Sequence, residues 1–472
     1  MSTPILTGKD LIALGFPPGP ALGAALDEAR ARDLQGAALA DFVAARKPAP
    51  QLPLQAVPAP FALHLEAETA EEAANLAAVT AAMAALMRTP TLRAGAVMPD
   101  ACPSGPGGTI PVGGVAVAEG AIHPGMHSAD ICCSVMLSGW DGVPPADVLE
   151  AAHRVTHFGP GGRAEGDRFA LPADLAAAFR ANPFLDTPAM LAAAEAHLGT
   201  QGDGNHFAFA GRSRATGQAT LVTHHGSRGP GALLFKAGMK VAERFRKALS
   251  PATDPVNAWI PADCDEGRAY WQALLVIRAW TQLNHELIHA GVAARLGRPV
   301  VRRLWNEHNF VFRDGDLFYH AKGATPVAPA FVPDGVQIVP LNMAEPVLLI
   351  RAPEGGPPLP LPDGRRLGFA PHGAGRNLSR RAHLRKLGEV TEAEVLAREV
   401  AGLDVRFFSG HPDLSELPSA YKSAATLRAQ MQQHGLAEVV DEIAPHGSIM
   451  AGDWERDAPW RRRLAARARQ AG

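Results

Sequence analysis

In the stretch Ser128-Ala-Asp130-Ile-Cys132-Cys133-Ser134-Val135 an aspartate and a cysteine stand three residues apart. One short turn at that spacing aims a carboxylate and a thiolate at a single cation. The other residues that carry chemistry lie downstream, each a histidine in a setting rich in Gly, Asn or Arg. His206 lies in Gly202-Asp-Gly-Asn-His-Phe207, and His224 in His224-His-Gly-Ser-Arg-Gly229. His308 lies in Glu307-His-Asn-Phe310, and His372 in His372-Gly-Ala-Gly-Arg376. Thiolate, carboxylate and neutral imidazole suit Mn, Fe, Co or Zn better than Mg or Ca. A site drawn from segments so far apart needs one interwoven fold, not a string of independent domains.

Outward from this stretch, residues 20–46 read as an amphipathic, Ala-rich helix, and Pro48–Pro60, with five prolines, as an extended linker. Phe61–Glu66 alternates like a strand. Thr69 is placed to cap a helix running to Met87, with Glu72 completing a capping box. Met98–Gly125 is so rich in Gly and Pro that it reads as turns, or as backbone approaching a ligand. Helical periodicity returns over 147–157, 173–181, 188–197, 231–249 and 267–296. Ala219–Thr223, Val300–Arg303 and Leu317–His320 are strand candidates, 331–351 is β-prone, and 391–441 reads mainly as helices.

The composition is that of a globular protein: 472 residues, 47% hydrophobic and 19% charged, with a formal charge of -2. No global basic field advertises a polyanionic partner, and the Arg-rich end, 460–469, reads as a solvated helix face. Four cysteines, two of them adjacent, make no disulfide framework. The N-terminus lacks a secretory signal, and the Ala-rich run 71–87 is too interrupted to span a membrane. The expectation is a cytoplasmic protein.

Asp130, Cys133, His206, His224 and His308 offer ligands for two ions if the thiolate bridges. Cys132 is expected to face away as a small core hydrophobe, and His225 is the non-ligand beside His224. A competing pattern is His285-Glu-Leu-Ile-His289, a literal H-E-x-x-H on an expected helix with Glu286 as base and Glu307 as a possible third ligand. It would make the chain a zinc metallopeptidase, but it leaves the Gly-Asn-His, Gly-Ser-Arg and Gly-Ala-Gly-Arg segments unexplained.

Pro99-Asp100…Gly105, Asp130-Ile-Cys-Cys133, Gly204-Asn-His-Phe207, His224–Gly229, His308-Asn309, Lys322-Gly-Ala-Thr325 and His372–Arg376…Ser379-Arg380 occur in this order. Together they resemble the RtcB family of RNA-splicing and RNA-repair ligases, over roughly residues 95–455. The resemblance implies an α+β fold, a single interwoven domain with mixed and antiparallel sheets flanked by helices. It divides the chain into an N-terminal helix and Pro-rich linker (1–60), a catalytic domain (61–460) and a basic tail (461–472). It further implies two Mn2+ ions, one on Asp130, Cys133 and His206, the other on Cys133, His224 and His308. His372 would attack GTP and become nucleotidylated. Asn205, Arg228, Asn309, Lys322, Asn342, Gly373, Ala374, Gly375, Arg376 and Tyr421 would contact the nucleotide. The implied substrate is RNA with a 3′-phosphate or 2′,3′-cyclic phosphate and a 5′-hydroxyl, and family members often work with an archease-type activator.

Five positions depart from the family's pattern. Cys102 replaces the family's histidine in the Pro-Asp-x-His segment, Ser134 replaces a glycine, and Ala321 replaces an arginine. Phe209 stands where a glutamate reads guanine, and Ile449-Met-Ala-Gly452 where a lysine does. Metal and nucleophile positions survive while guanine-reading positions do not. The resemblance therefore implies a divergent member with weakened or altered GTP preference, or a degenerate one that binds or processes RNA ends without ligation.

Overall fold

Ser134–Trp140 is buried along its whole length, and a strand covered on both faces belongs at the centre of a sheet. It pairs antiparallel with Ala219–His225 on one side and Arg302–Glu307 on the other. Beyond Ala219–His225 the order continues through Phe207–Ser213, Glu438–Met450, Val347–Arg351 and Val336–Val339. Asp404–Phe407 joins this eight-stranded sheet by pairing in parallel with Glu438–Met450. The structure, a computed structural model, describes residues 6–47, 51–105, 108–332, 335–388 and 390–456. The basic tail expected at 461–472 lies outside the described residues.

A five-stranded sheet runs Phe61–Leu63, Leu92–Cys102, Val112–Glu119, Leu317–Lys322, Asn309–Asp314. His308 alone separates Arg302–Glu307, at the edge of the first sheet, from Asn309–Asp314, at the edge of the second. The chain thus crosses between sheets through a candidate ligand.

Helices flank the sheets, so the α+β architecture with mixed sheets is observed. The longest, Asp265–Leu296, begins where the Cys264 sulfur accepts the Gly267 N–H at 3.3 Å and ends at left-handed Gly297. Its buried face follows the i+3/i+4 rhythm through Tyr270, Leu274, Ile277, Thr281, Asn284, Ile288 and Val292. Thr69 caps Ala70–Leu86 as expected, reciprocally with Glu72.

Three expectations are corrected. The single helix over 20–46 is two, Pro20–Ala31 and Gly36–Arg46, because Asp33 and Gly36 take left-handed backbone. These and Gly8–Ala13 enclose a small core of their own around Leu11, Phe16, Phe42 and Val43. The Gly/Pro-rich 98–125 segment includes the end of Leu92–Cys102 and all of Val112–Glu119. The region 391–441 holds two helices but also Asp404–Phe407 and the start of Glu438–Met450.

Candidate metal centre and nucleophile

The register of the eight-stranded sheet gathers the candidate ligands at one end of it. Ser134 lies opposite Glu307 and Phe207 opposite His224, so Cys133, His206, His224 and His308 come together. Cys133 also accepts the His308 N–H on its carbonyl at 2.9 Å. Asp130 reaches the same place through a tight turn in which Ser128 and Cys132 take positive φ. The turn packs so closely on Gly226 that a Cβ there would lie 1.9 Å from the Asp130 Oδ1. A side chain there would displace that carboxylate.

Cys133 Sγ lies 3.2 Å from His224 Nε2 and 3.8 Å from His206 Nε2. His224 Nε2 lies 3.2 Å from His308 Nε2, and Asp130 Oδ2 lies 3.3 Å from His206 Nε2. His206 donates from Nδ1 to the Gln201 carbonyl at 2.6 Å, and His224 from Nδ1 to the Asn205 carbonyl at 3.1 Å. Those bonds fix the tautomers and leave bare Nε2 lone pairs aimed at one thiol. Lone pairs converging with too few protons between them are what a cation satisfies. Two trios, Asp130–Cys133–His206 and Cys133–His224–His308, each keep their ligand atoms within 4.8 Å, with Cys133 shared. The donor set fits a metal pair.

Electrostatics agree. Burial, helped by the neighbouring His206, brings the His224 imidazole down to about 3. Burial and neighbouring imidazoles hold His308 far below its ordinary range. Both are neutral near pH 7, the form that ligates metal. Burial pushes Asp130 up, but the imidazole side chains facing it, His206 first, outweigh it and leave the carboxyl low. Burial and the Asp130 charge push the Cys133 thiol up, a direction that a coordinated cation reverses.

His372 stands beside this cluster, its ring 4.8 Å from that of His308. Fully buried Asp100 holds it twice: Oδ2 accepts from Nδ1 at 2.6 Å and from the His372 backbone N–H at 3.1 Å. Nε2 is left free. His372, Gly373, Ala374, Gly375 and Arg376 line a cavity of about 200 Å³ together with Asn205, Asn342 and Tyr421. One wall is apolar, with Phe207, Phe209, Leu341, Met343, Val347 and Met450. Also on the lining, buried Glu416 accepts from Arg376 at 2.8 Å and from the Tyr421 hydroxyl.

Three candidate contacts lie off the cavity wall. Arg228 donates to the Gly159 carbonyl at 3.2 Å. Asn309 accepts the Gly323 N–H at 2.7 Å. Lys322, whose ammonium burial brings down to about 8, donates to Ser104. Asp100 and Glu416 were not assigned from the sequence. Asp100 stood in a quoted motif, while nothing near Glu416 marks it.

Cys132 is buried core, as expected. His225 stacks on His285 with ring centres 3.4 Å apart. The peptidase reading is overturned. His285 bonds Ser134 and Thr223 through its two nitrogens, and His289 bonds Thr223 and Ser138 through its own. Glu286 pairs with Gln282 and Glu307 with Arg278. The H-E-x-x-H helix therefore buttresses two strands, and neither of its histidines has a ring nitrogen to spare.

A family model described as tRNA-splicing ligase RtcB matches residues 177–451. The chain belongs to the RtcB family. It is 26% identical over 291 residues to the tRNA-splicing ligase RtcB of Thermococcus kodakarensis, covering 53% of this chain and 58% of that one. With the tRNA-splicing ligase RtcB of Pyrococcus horikoshii it shares 27% identity over 296 residues, but only 32% of that protein's length. The chain thus spans less than two thirds of these archaeal RtcB proteins. The RNA-splicing ligase RtcB2 of Escherichia coli is 25% identical over 364 residues, 72% of this chain and 84% of that one. Among the described residues no helix is long and apolar enough to cross a membrane.

Proposed function

We propose that this RtcB-family chain is an RNA ligase that works through a nucleotidylated His372. The observation that carries the reading is the clamp of Asp100 on His372 Nδ1, which leaves Nε2 as the nucleophile of a residue that lines a cavity beside the ligand cluster. In the first step the Nε2 lone pair attacks the α-phosphorus of a nucleoside triphosphate. A P–N bond forms as the P–O bond to pyrophosphate breaks, and the proton stays on Nδ1, where the Asp100 carboxylate offsets the positive charge the ring acquires. An oxygen of an RNA 3′-phosphate then attacks that phosphorus and releases His372. Last, a 5′-hydroxyl oxygen attacks the 3′-phosphorus, loses its proton to solvent and expels the nucleoside monophosphate. A 2′,3′-cyclic phosphate would first be opened by water.

Asp130, Cys133, His206, His224 and His308 would hold two divalent cations, Mn2+ in this reading, which spread the charge developing on transferring phosphoryl oxygens. Arg376 keeps Nη1 without a protein partner, a donor suited to phosphate. We place the protein in the cytoplasm, where its four free thiols are kept reduced, and leave a place for an archease-type activator.

On the neighbouring strands Phe209 lies opposite Ser448, and Phe207 opposite Met450. This wall offers apolar surface where the family's guanine-reading carboxylate and ammonium would stand. An apolar pocket discriminates by roughly a hundredfold, a hydrogen-bonding one by 10⁴ or more. Incubation with each α-32P nucleoside triphosphate and Mn2+ tests both points. Label is expected on wild type and not on His372→Ala, with GTP and ATP within about a hundredfold of each other. Absence of label from every nucleotide overturns the ligase reading in favour of a protein that binds or processes RNA ends.

A further inference from the structure

Lys422 follows Tyr421 of the cavity wall but has no part in the chemistry above. Its ammonium donates to the Pro99 carbonyl at 3.0 Å and to the Ala101 carbonyl at 2.7 Å. Those residues flank Asp100. Its backbone N–H donates to the Gly375 carbonyl at 3.0 Å, in the loop that carries His372. A single residue therefore grips the strand of the carboxylate with its side chain and the loop of the imidazole with its backbone.

The strand needs such a grip here. Leu92–Cys102 pairs with Val112–Glu119, but the register shifts between Val97 and Cys102. No ladder partner is paired with Asp100, and the Ala101 carbonyl takes its bonds from side chains, Asn75 at 2.8 Å and Lys422 at 2.7 Å. An ammonium provides several donors and makes charge-assisted bonds. The loop lies directly against this irregular segment: a Cβ on Gly375 would meet the Asp100 carbonyl oxygen at 1.9 Å.

We propose that Lys422 is a positioning residue, fixing the backbone on both sides of Asp100 and through it the Asp100–His372 hydrogen bond that orients the nucleophile. This rests on His372 being that nucleophile. A residue that only stabilised the fold would change how much protein is active, and one that only bound nucleotide would change the half-saturating concentration. A positioning residue changes the maximal rate per folded, metal-loaded molecule.

The test is the rate of His372 labelling by α-32P-GTP across a concentration series, in full-length Mn2+-loaded wild type and Lys422→Met. The maximal rate per bound metal is expected to fall by on the order of tenfold or more, with half-saturation within about twofold and metal content unchanged. A wild-type maximal rate, or a change in half-saturation alone, overturns the proposal. Lys422→Gln is judged by the same split if the Met variant does not fold. If wild type takes no label, the nucleophile reading fails on its own, and a crystal structure of Lys422→Met decides this one. An Asp100–His372 contact retained at 2.6 Å overturns it, and separation beyond about 3.5 Å supports it.

Discussion

At the scale of single residues, Asp100 decides which nitrogen of His372 is available. One carboxylate oxygen accepts both the Nδ1 proton and the backbone N–H of the same residue, so ring and backbone are set together. Asp100→Asn keeps the shape but loses the charge that steadies the imidazole. Nucleotidylation of His372 is expected to slow by roughly 10–100-fold, read as single-turnover label per bound metal, with nucleotide affinity little changed. Adjacent cysteines offer a sharper contrast. Cys133 is shared by both trios while Cys132 is packed in the core. Cys133→Ala should therefore lose bound metal, whereas Cys132→Ala should keep it and lose only stability. Elemental analysis of the two purified variants checks this, and equal loss of metal in both would contradict the shared-thiolate arrangement.

At the scale of elements, what the chain made legible and what it hid divide on physical lines. Asp130, Cys133, His206, His224 and His308 could be picked out because each sits in a segment whose glycines or spacing suit a site, and the structure brings them together. The H-E-x-x-H pattern misled because sequence shows which residues share a helix face but not what that face meets. Here it meets the hydroxyls of Thr223, Ser134 and Ser138, which complete the imidazoles' hydrogen bonds. The strand Leu92–Cys102 was hidden by Pro99 and by a register shift near it, local chemistry that resembles a turn. Its pairing with Val112–Glu119 supplied what local propensity did not. The buttress itself is testable. Thr223 Oγ1 lies 2.7 Å from His285 Nδ1 and 2.8 Å from His289 Nε2. Thr223→Val leaves a buried nitrogen on each ring unsatisfied, at about 1–3 kcal/mol apiece. Chemical denaturation should show the midpoint falling, while metal content stays at the wild-type value; loss of metal instead would return the helix to the site.

At the scale of the whole molecule, the site is where two sheets join. His308 is the single residue between them, His224 lies in the eight-stranded sheet and His206 immediately before one of its strands, and Asp100 comes from the five-stranded one. The need for one interwoven domain was readable from how far apart the ligands stand in the chain. The apposition of sheets was not, since it depends on pairings such as Leu317–Lys322 with Val112–Glu119, some 200 residues away. Asp130, Cys133, His206, His224 and His308 reach one point only when these long-range pairings are in place, so an ion bound there favours the folded chain alone. Stabilisation then follows mass action: about 2.7 kcal/mol at a free concentration a hundredfold above Kd. Thermal unfolding monitored with rising Mn2+ should show the midpoint climbing without a plateau in that range. Mg2+, which prefers oxygen ligands, should shift it far less. In Cys133→Ala the Mn2+ dependence should vanish, because the shared ligand of both trios is gone. A midpoint indifferent to Mn2+ in wild type would mean that these five side chains are not a metal centre, however closely they converge.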